Sequence, residues 1–425
     1  MEDKAAGLDE TPAGAVPNRK PDSLLRNRDY MLLWMGQLVS SVGSGVSGLA
    51  FPLLVLAITG SPADAGFAGL LRSLPYLIFS LPAGALVDRW DRKRVMIICD
   101  SIRALNAASI PVAAAVGHLS LAQLLVTTTV EGTCFVFFNI SEVACLTQVV
   151  TKEQIPAASS QNQAGEIIGG LAAPPLGGAL FQIARSVPFL VDAISYAGSV
   201  CSLFLIRAKF QETRTVAPRA LRVEIAEGVR WLWGQPLIRF MAILTGGLNF
   251  TTAGLDLMLI VIARQQHSPA AAIGLIFSIG GLGALAGATV APRIQRKFRF
   301  GSVIVSTMWI QALAFPLFAV APNVVFLGLV AAVLFVTGPI YNAVQFSYRL
   351  SLIPDALQGR VNSVFRLVAF GFMPIGTAAA GIMLQAFGPD TTVLLFAAVT
   401  LGLAVLATLN SHVRRAARPA TAAAA

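Results

Sequence analysis

The stretch Gly84-Ala85-Leu86-Val87-Asp88-Arg89-Trp90-Asp91-Arg92-Lys93-Arg94 decides how the rest of the chain is read. Six of its residues are charged, and it is clamped between two long apolar runs. In a soluble protein such a knot is an ordinary surface loop. Between two segments long enough to cross a bilayer it becomes a short basic turn, and basic turns face the cytoplasm.

Composition supports the second reading. The chain is 56% hydrophobic and 12% charged, and its mean hydropathy is +0.72. Soluble domains carry about 25% charged residues, so water is the wrong solvent for most of this chain. The 37 glycines suit helices that approach closely in lipid. A net charge of +10 would fit nucleic acid if the basic residues shared one face, but they are scattered over short loops. No nucleic-acid partner is expected. Cys99, Cys134, Cys145 and Cys201 lie in or beside apolar runs, and His118, His267 and His412 are dispersed, so neither a metal site nor a disulfide framework is expected. The polar first thirty residues lack an apolar core before a small-residue cleavage site, so the first apolar helix is expected to direct insertion itself.

Working outward from the knot, stretches of about 18 to 25 apolar residues recur near 32–58, 65–87, 95–117, 120–146, 158–183, 187–206, 238–262, 270–291, 302–320, 323–346, 362–386 and 391–410. Backbone polar groups cannot stay unpaired in hydrocarbon, so these spans must be helices. The expected fold is an all-α membrane protein with twelve transmembrane helices in two six-helix bundles. Placing the N-terminus inside puts Arg19, Lys20, Arg26, Arg28, the knot, Lys152, the Arg293–Arg299 cluster, Arg349, Arg360 and the Arg414–Arg418 tail on the cytoplasmic side. Only Arg185 and Arg264 are left outside. Both termini are therefore expected to be cytoplasmic, in a cell (inner) membrane.

The organisation that follows is a cytoplasmic tail at 1–29, a first bundle at 30–206, a linker at 207–236, a second bundle at 237–410 and a tail at 411–425. Within the linker, Val223 to Trp233 is amphipathic, with Arg222 and Arg230 on its polar side, and reads as a helix lying along the inner membrane face. The halves also resemble each other. Gly84-Ala85-Leu86-Val87 before Arg92-Lys93 corresponds to Gly287-Ala288-Thr289-Val290 before Arg296-Lys297, a shift of about 203 residues. Duplicated six-helix units suit a transporter that rocks two bundles about a central site.

On these residues the chain resembles the major facilitator superfamily, closest to the bacterial branch with enterobactin exporters and macrolide efflux proteins. The 84–94 stretch is similar to the superfamily signature between spans two and three, with Asp91 where glycine is usual. The resemblance implies a conformational latch of Gly84, Asp88, Arg89, Arg92, Lys93 and Arg94. Asp88 would face a helix N-terminus at span eleven, and the basic residues would pair with acids or anionic lipid. Gly169, Ala173, Pro174, Gly177 and Gly178 on span five resemble the antiporter signature, with Ala173 and Ser160 at positions where glycine is common, which implies export. The arginine that relatives carry in span four is missing. Thr128 stands there, and Phe137 to Glu142 departs from the branch's usual wording.

Charges within spans are expensive in a bilayer and need a partner or a cavity. Asp100 and Arg103 are one helical turn apart and suit a structural ion pair. Glu131 falls about 15 Å into span four and Glu166 about 12 Å into span five, at 1.5 Å per residue. Asp192 and Asp256 are expected near the outer ends of their spans. Glu131, Phe135, Phe138 and Glu142 share one helical face, as do Asn162, Glu166, Gly169 and Gly170. Two readings stay open for these faces. The acids either pair with Arg72 or Arg366 for packing, or Glu131 or Glu166 takes up and releases a proton. Phe135, Phe138, Asn249, Asn342 and Gln345 complete the expected substrate cavity.

The expected function is secondary active transport: a proton-coupled exporter of a small amphipathic compound, such as a drug or siderophore, working as a monomer among membrane lipids without a cofactor. An importer or lysophospholipid transporter of the same superfamily is the alternative. No phosphate-binding Gly-x-x-x-x-Gly-Lys-Ser loop, no Gly-x-Ser-x-Gly elbow and no His-Glu-x-x-His motif appears, which speaks against ATP as the energy source and against an intramembrane enzyme.

Overall fold

A computed structural model describes residues 24–87, 89–208, 210, 221–354 and 357–416. Asp88 and the 1–23 part of the N-terminal tail lie outside the described residues, as do 211–220 and 417–425. The described chain folds as helices in the order α1 (Arg28–Thr59), α2 (Pro62–Val87), α3 (Arg92–Ala115), α4 (Leu121–Val149), α5 (Ile155–Ile183), α6 (Val187–Leu205), α7 (Leu221–Gly234), α8 (Pro236–Gln265), α9 (Ala270–Lys297), α10 (Phe300–Ala314), α11 (Val324–Leu352), α12 (Gln358–Leu409) and α13 (Ser411–Arg415). No strand occurs among these residues.

Local chemistry sets the helix starts. Asn27, Asp91, Ser120 and Asn323 each accept the backbone N–H three residues on, satisfying a donor left unpaired in the first turn. Proline opens α5, α6 and α8, where its missing N–H costs nothing. Gly60 ends α1 in the left-handed region at φ +69°.

Among the described residues ten helices are long and apolar enough to cross a membrane. The 26-residue α2, which carries Arg72, packs beside α4 and α12. The last two expected spans, 362–386 and 391–410, form one 52-residue helix divided at Gly388, whose φ of 75° and ψ of 174° are not helical. No separate loop intervenes. Pro389 opens the second segment at a first-turn position, so the chain reverses at a single residue. Side chains such as Leu105, Ile183, Ile194 and Leu313 are exposed on the outside, a surface suited to hydrocarbon.

Successive crossings give the bundle two ends. The basic end holds residues 89–91, 150–154, 206–208, 235, 298–299 and 353–354 between helices; the opposite end holds those at 60–61, 116–120, 184–186, 266–269 and 321–323, with Gly388. The cores are distributed unequally between them. At the opposite end one apolar core joins the first six helices to the rest, running from Leu49–Leu56 and Phe189 through Leu255–Ala263 to Phe396. At the basic end there are two. Tyr30, Met96, Phe138 and Leu203 belong to a core of the first half, and Ile304, Tyr341, Val361 and Phe365 to a core of the second.

Small residues close the joined end. A Cβ on Gly178 would lie 2.7 Å from the Ala270 carbonyl carbon, and a Cβ on Gly66 would lie 2.7 Å from the Gly381 Cα. Only glycine allows the two halves to approach this closely. Ser278 Oγ also donates to the Leu171 carbonyl at 2.6 Å, tying α9 to α5.

The linker helix α7 is docked on the second bundle. Leu232 is fully buried in the second half's core, and Arg360 at the start of α12 pairs with Glu227. Trp233 is half-exposed. An amphipathic pattern marks one apolar face, and here the second bundle covers much of it.

Candidate functional site: the central cavity and its charge network

A cavity of about 650 Å³ lies between the halves, a size usual for a small-molecule site. Helices α1, α2, α4 and α5 contribute one wall, and α8, α9 and α12 the other. Its lining is mostly apolar, with Phe51, Phe135, Phe277, Phe370 and Met373 prominent. Four charged side chains reach it: Arg72, Glu131, Asp256 and Arg366.

Glu131 is held by the first half. Arg103 Nη2 on α3 donates to its carboxylate at 2.6 Å, Arg103 Nε adds contacts at 3.1 and 3.2 Å, and the Tyr196 hydroxyl on α6 donates at 2.8 Å. The network continues outward from there. Arg103 lies 3.3 Å from Asp100, and Ser199 Oγ donates to Asp100 at 2.6 Å. Tyr196 meets Ser44 at 2.7 Å, and Ser47 donates to Asp192 at 2.5 Å. Arg103 also stacks 4.1 Å from the centre of the Tyr196 ring. Helices α1, α3, α4 and α6 are thereby joined by charge-assisted bonds, which are strong when shielded from water.

Several positions differ from the sequence reading. Arg103 reaches beyond its own turn: its closest acid is Glu131, 28 residues away, and not Asp100. Asp192, expected near the outer end of its span, is buried and accepts from Ser47. Neither Arg72 nor Arg366 is the ion-pair partner of Glu131. Arg72 lines both the main cavity and a small side cavity with Glu131 and Asp192. Arg366 donates to the Tyr76 hydroxyl at 2.6 Å, and its guanidinium lies 5.8 Å from the Phe370 ring centre.

The shared face of α4 is only partly in the cavity. Phe135 lines it, whereas Phe138 is buried in the first half's core and Glu142 is half-buried outside the lining. On α5 the cavity takes Pro174, while Asn162 is half-buried and Glu166 exposed, neither touching it. Asn249 donates to the Ala369 carbonyl at 2.8 Å and so clips α8 to α12. Asn342 is exposed away from the cavity, and Gln345 is buried. Helices turn 100° per residue, so a face spanning three turns cannot keep every member on a cavity wall only part of that length.

The small-residue stripe of α5 packs on both sides. Gly169, Ala173, Gly177 and Gly178 are buried, and a Cβ on Gly274 of α9 would lie 2.7 Å from the Pro174 carbonyl carbon. In the knot, Asp91 caps α3 and pairs with Arg94 at 3.7 Å. Arg89 is exposed, and Trp90 stacks on Phe137. Lys93 Nζ donates to the Ile206 carbonyl at 2.6 Å, and Arg92 Nη1 lies 3.5 Å from the carbonyls of Ala144 and Phe210. Lys93 therefore meets the carbonyl that ends α6, where the helix carries partial negative charge. A Cβ on Gly84 would meet nothing within 4 Å, consistent with separation of the halves at this end.

Sequence reading missed Asp256 as a cavity residue. It lies nine residues before the end of α8 and is exposed into the cavity. Counting back from the helix end would have placed it about 13 Å deep at 1.5 Å per residue.

Known proteins resemble this chain along nearly its whole length. The multidrug efflux pump Tap of Mycolicibacterium fortuitum is 27% identical over 401 residues, covering 90% of this chain and 96% of that protein. The enterobactin exporter EntS of Citrobacter koseri is 24% identical, covering 93% and 95%. A solved bacterial homologue of the iron transporter ferroportin, in an inward-facing state, shares the fold with a TM-score of 0.71 at 18% identity, over 91% of this chain and 99% of that one. The sequence profile described as transmembrane secretion effector matches residues 21–424. The chain is thus a membrane transporter that belongs to the transmembrane secretion effector family, in the exporter branch of the major facilitator superfamily.

Proposed function

We propose that this transporter is a proton-coupled exporter of small amphipathic compounds, of the drug or siderophore kind, working by alternating access. The observation that carries the reading is the unequal distribution of the cores, joined at one end and separate at the other, around a cavity lined by both halves. A molecule with this arrangement has one closed and one parted end, and exchanging them would move cargo across. Twelve crossings, counting α2 and both segments of α12, would leave both termini on the side of the basic end. The bias of basic residues toward that end supports its being cytoplasmic. The names of the relatives, a multidrug efflux pump and an enterobactin exporter, support export and the cargo class.

Proton coupling rests on the network around Glu131. Its carboxylate touches both the cavity and Arg103, so a proton taken there would release Arg103 toward Asp100 and loosen α4 from α3 and α6. Asp88 and its basic neighbours are proposed as the latch of the opposite, outward-open state, and Gly169 to Gly178 as the surface on which α5 moves against α1 and α9. The chain is taken to act as a monomer, with its exposed apolar belt against lipid.

Uptake by inverted vesicles of a fluorescent drug under an imposed inward-acid gradient tests direction and coupling together. Accumulation that collapses with a protonophore is expected. Accumulation indifferent to the gradient would remove the coupling, and uptake only in right-side-out vesicles would reverse the direction.

A further inference from the structure

We propose that Asp256 is the specificity-determining residue of the cavity, and that its carboxylate takes the cationic group of a cargo whose apolar body rests on the phenylalanines. This deepens the transport reading given above and depends on that reading only for the existence of cargo.

Three of the four charged side chains of the cavity already face a polar partner or an opposite charge. Glu131 is held by Arg103 and Tyr196, and Arg366 by Tyr76. Arg72 borders the side cavity in which Glu131 and Asp192 supply negative charge. Asp256 differs. It is exposed into the cavity, and among the described residues no hydrogen bond or ion pair reaches its carboxylate. An unpartnered carboxylate at membrane depth is costly, so a site that keeps one is built for a partner that arrives from outside the protein.

Position strengthens the case. Thr377 Oγ1 on α12 lies 3.4 Å from the Ala253 carbonyl on α8, which fixes the register of the two parallel helices. From that contact Asp256 is three residues toward the joined end and Arg366 eleven toward the basic end, so the two charges are about 21 Å apart along the axis at 1.5 Å per residue. Asp256 therefore stands next to the Gly66–Gly381 closure, where no arginine neutralises it. Leu257, Ile260 and Phe277, which line the same cavity, are apolar. A cation there gains a strong, little-screened attraction, whereas an anion of the same shape is repelled.

The test uses the purified full-length protein and two probes of one shape and opposite charge, tetraphenylphosphonium and tetraphenylborate. Binding is measured by equilibrium dialysis in detergent. Wild type is expected to prefer the phosphonium. Asp256→Asn should weaken phosphonium binding at least tenfold without weakening the borate, and Asp256→Glu should restore the preference. Asp390→Asn, an exposed acid outside the cavity, should change nothing. Because no hydrogen bond or ion pair reaches the Asp256 carboxylate among the described residues, Asp256→Asn is expected to elute from size exclusion as wild type does, and Asp256→Glu separates charge from folding. Equal phosphonium binding by Asp256→Asn, no charge preference in wild type, or no binding of either probe would overturn the proposal. Vesicle transport keeps the two readings apart. Export that survives without charge preference sinks this inference alone, and phosphonium binding at Asp256 without export sinks the exporter reading alone.

Discussion

Arg103 on α3 grips Glu131 on α4 at 2.6 Å, and through it the cavity wall is tied to a buried core of charge. The pair is almost fully shielded: the Arg103 side chain is 5% exposed and that of Glu131 17%. Removing one member of such a pair leaves the other uncompensated.

Glu131→Gln is expected to cost about 3 kcal/mol, the low end for breaking a buried pair, because Asp100 still faces Arg103. Thermal unfolding in detergent would show it as a lowered midpoint. Gradient-driven efflux should be lost while cargo binding is partly kept. Wild-type stability in this variant would mean that the pair is not shielded in solution.

The joined end depends on glycine. Gly178→Leu puts a side chain against the backbone of Ala270 and Ala271 and should prevent closure there. A cysteine placed at Ala253 on the cavity wall should then react several-fold faster with an impermeant thiol reagent added from the far side. Gly170→Leu is the matched control, since a Cβ there meets nothing within 4 Å.

In the knot, Lys93→Met removes a charge-assisted bond to the end of α6 and should destabilise the protein by about 1.5 kcal/mol, read from its unfolding midpoint. Asp88→Asn should leave membrane insertion intact and abolish transport. Normal cycling by that variant would reject the latch.

Docking of α7 onto the second half makes a rank-order prediction. Leu232→Ala should cost about 3 kcal/mol as a cavity in a packed core, whereas Glu227→Gln, which touches a partly exposed ion pair, should cost less than about 1 kcal/mol. If the two variants unfold alike, the helix does not sit in that core.

Much of this architecture can be read without coordinates because lipid imposes long apolar helices with basic ends. The 84–94 knot and the α5 stripe announce themselves by composition at one place in the chain. What escapes the sequence is contact between distant residues. Asp100 and Arg103 are visible as neighbours one turn apart, yet the shorter bond runs to Glu131, whose distance in sequence carries no periodicity. Gly388 escapes for another reason: a single left-handed residue can do the work expected of a loop. Asp256 escapes because flanking apolar residues blur where a span ends, and only the extension of α8 to Gln265 and the cavity lining place it inside.

The order of charges along the cavity has a consequence for leakage. A potassium or sodium ion entering from the basic end meets Arg366 first and Arg72 next, and it would have to shed tightly held water beside both before finding a free acid. A bulky organic cation with its charge spread over an apolar body pays far less of that dehydration. Two arginines ahead of one aspartate would therefore let the protein admit greasy cations while sparing the ionic gradients of the membrane in which it sits.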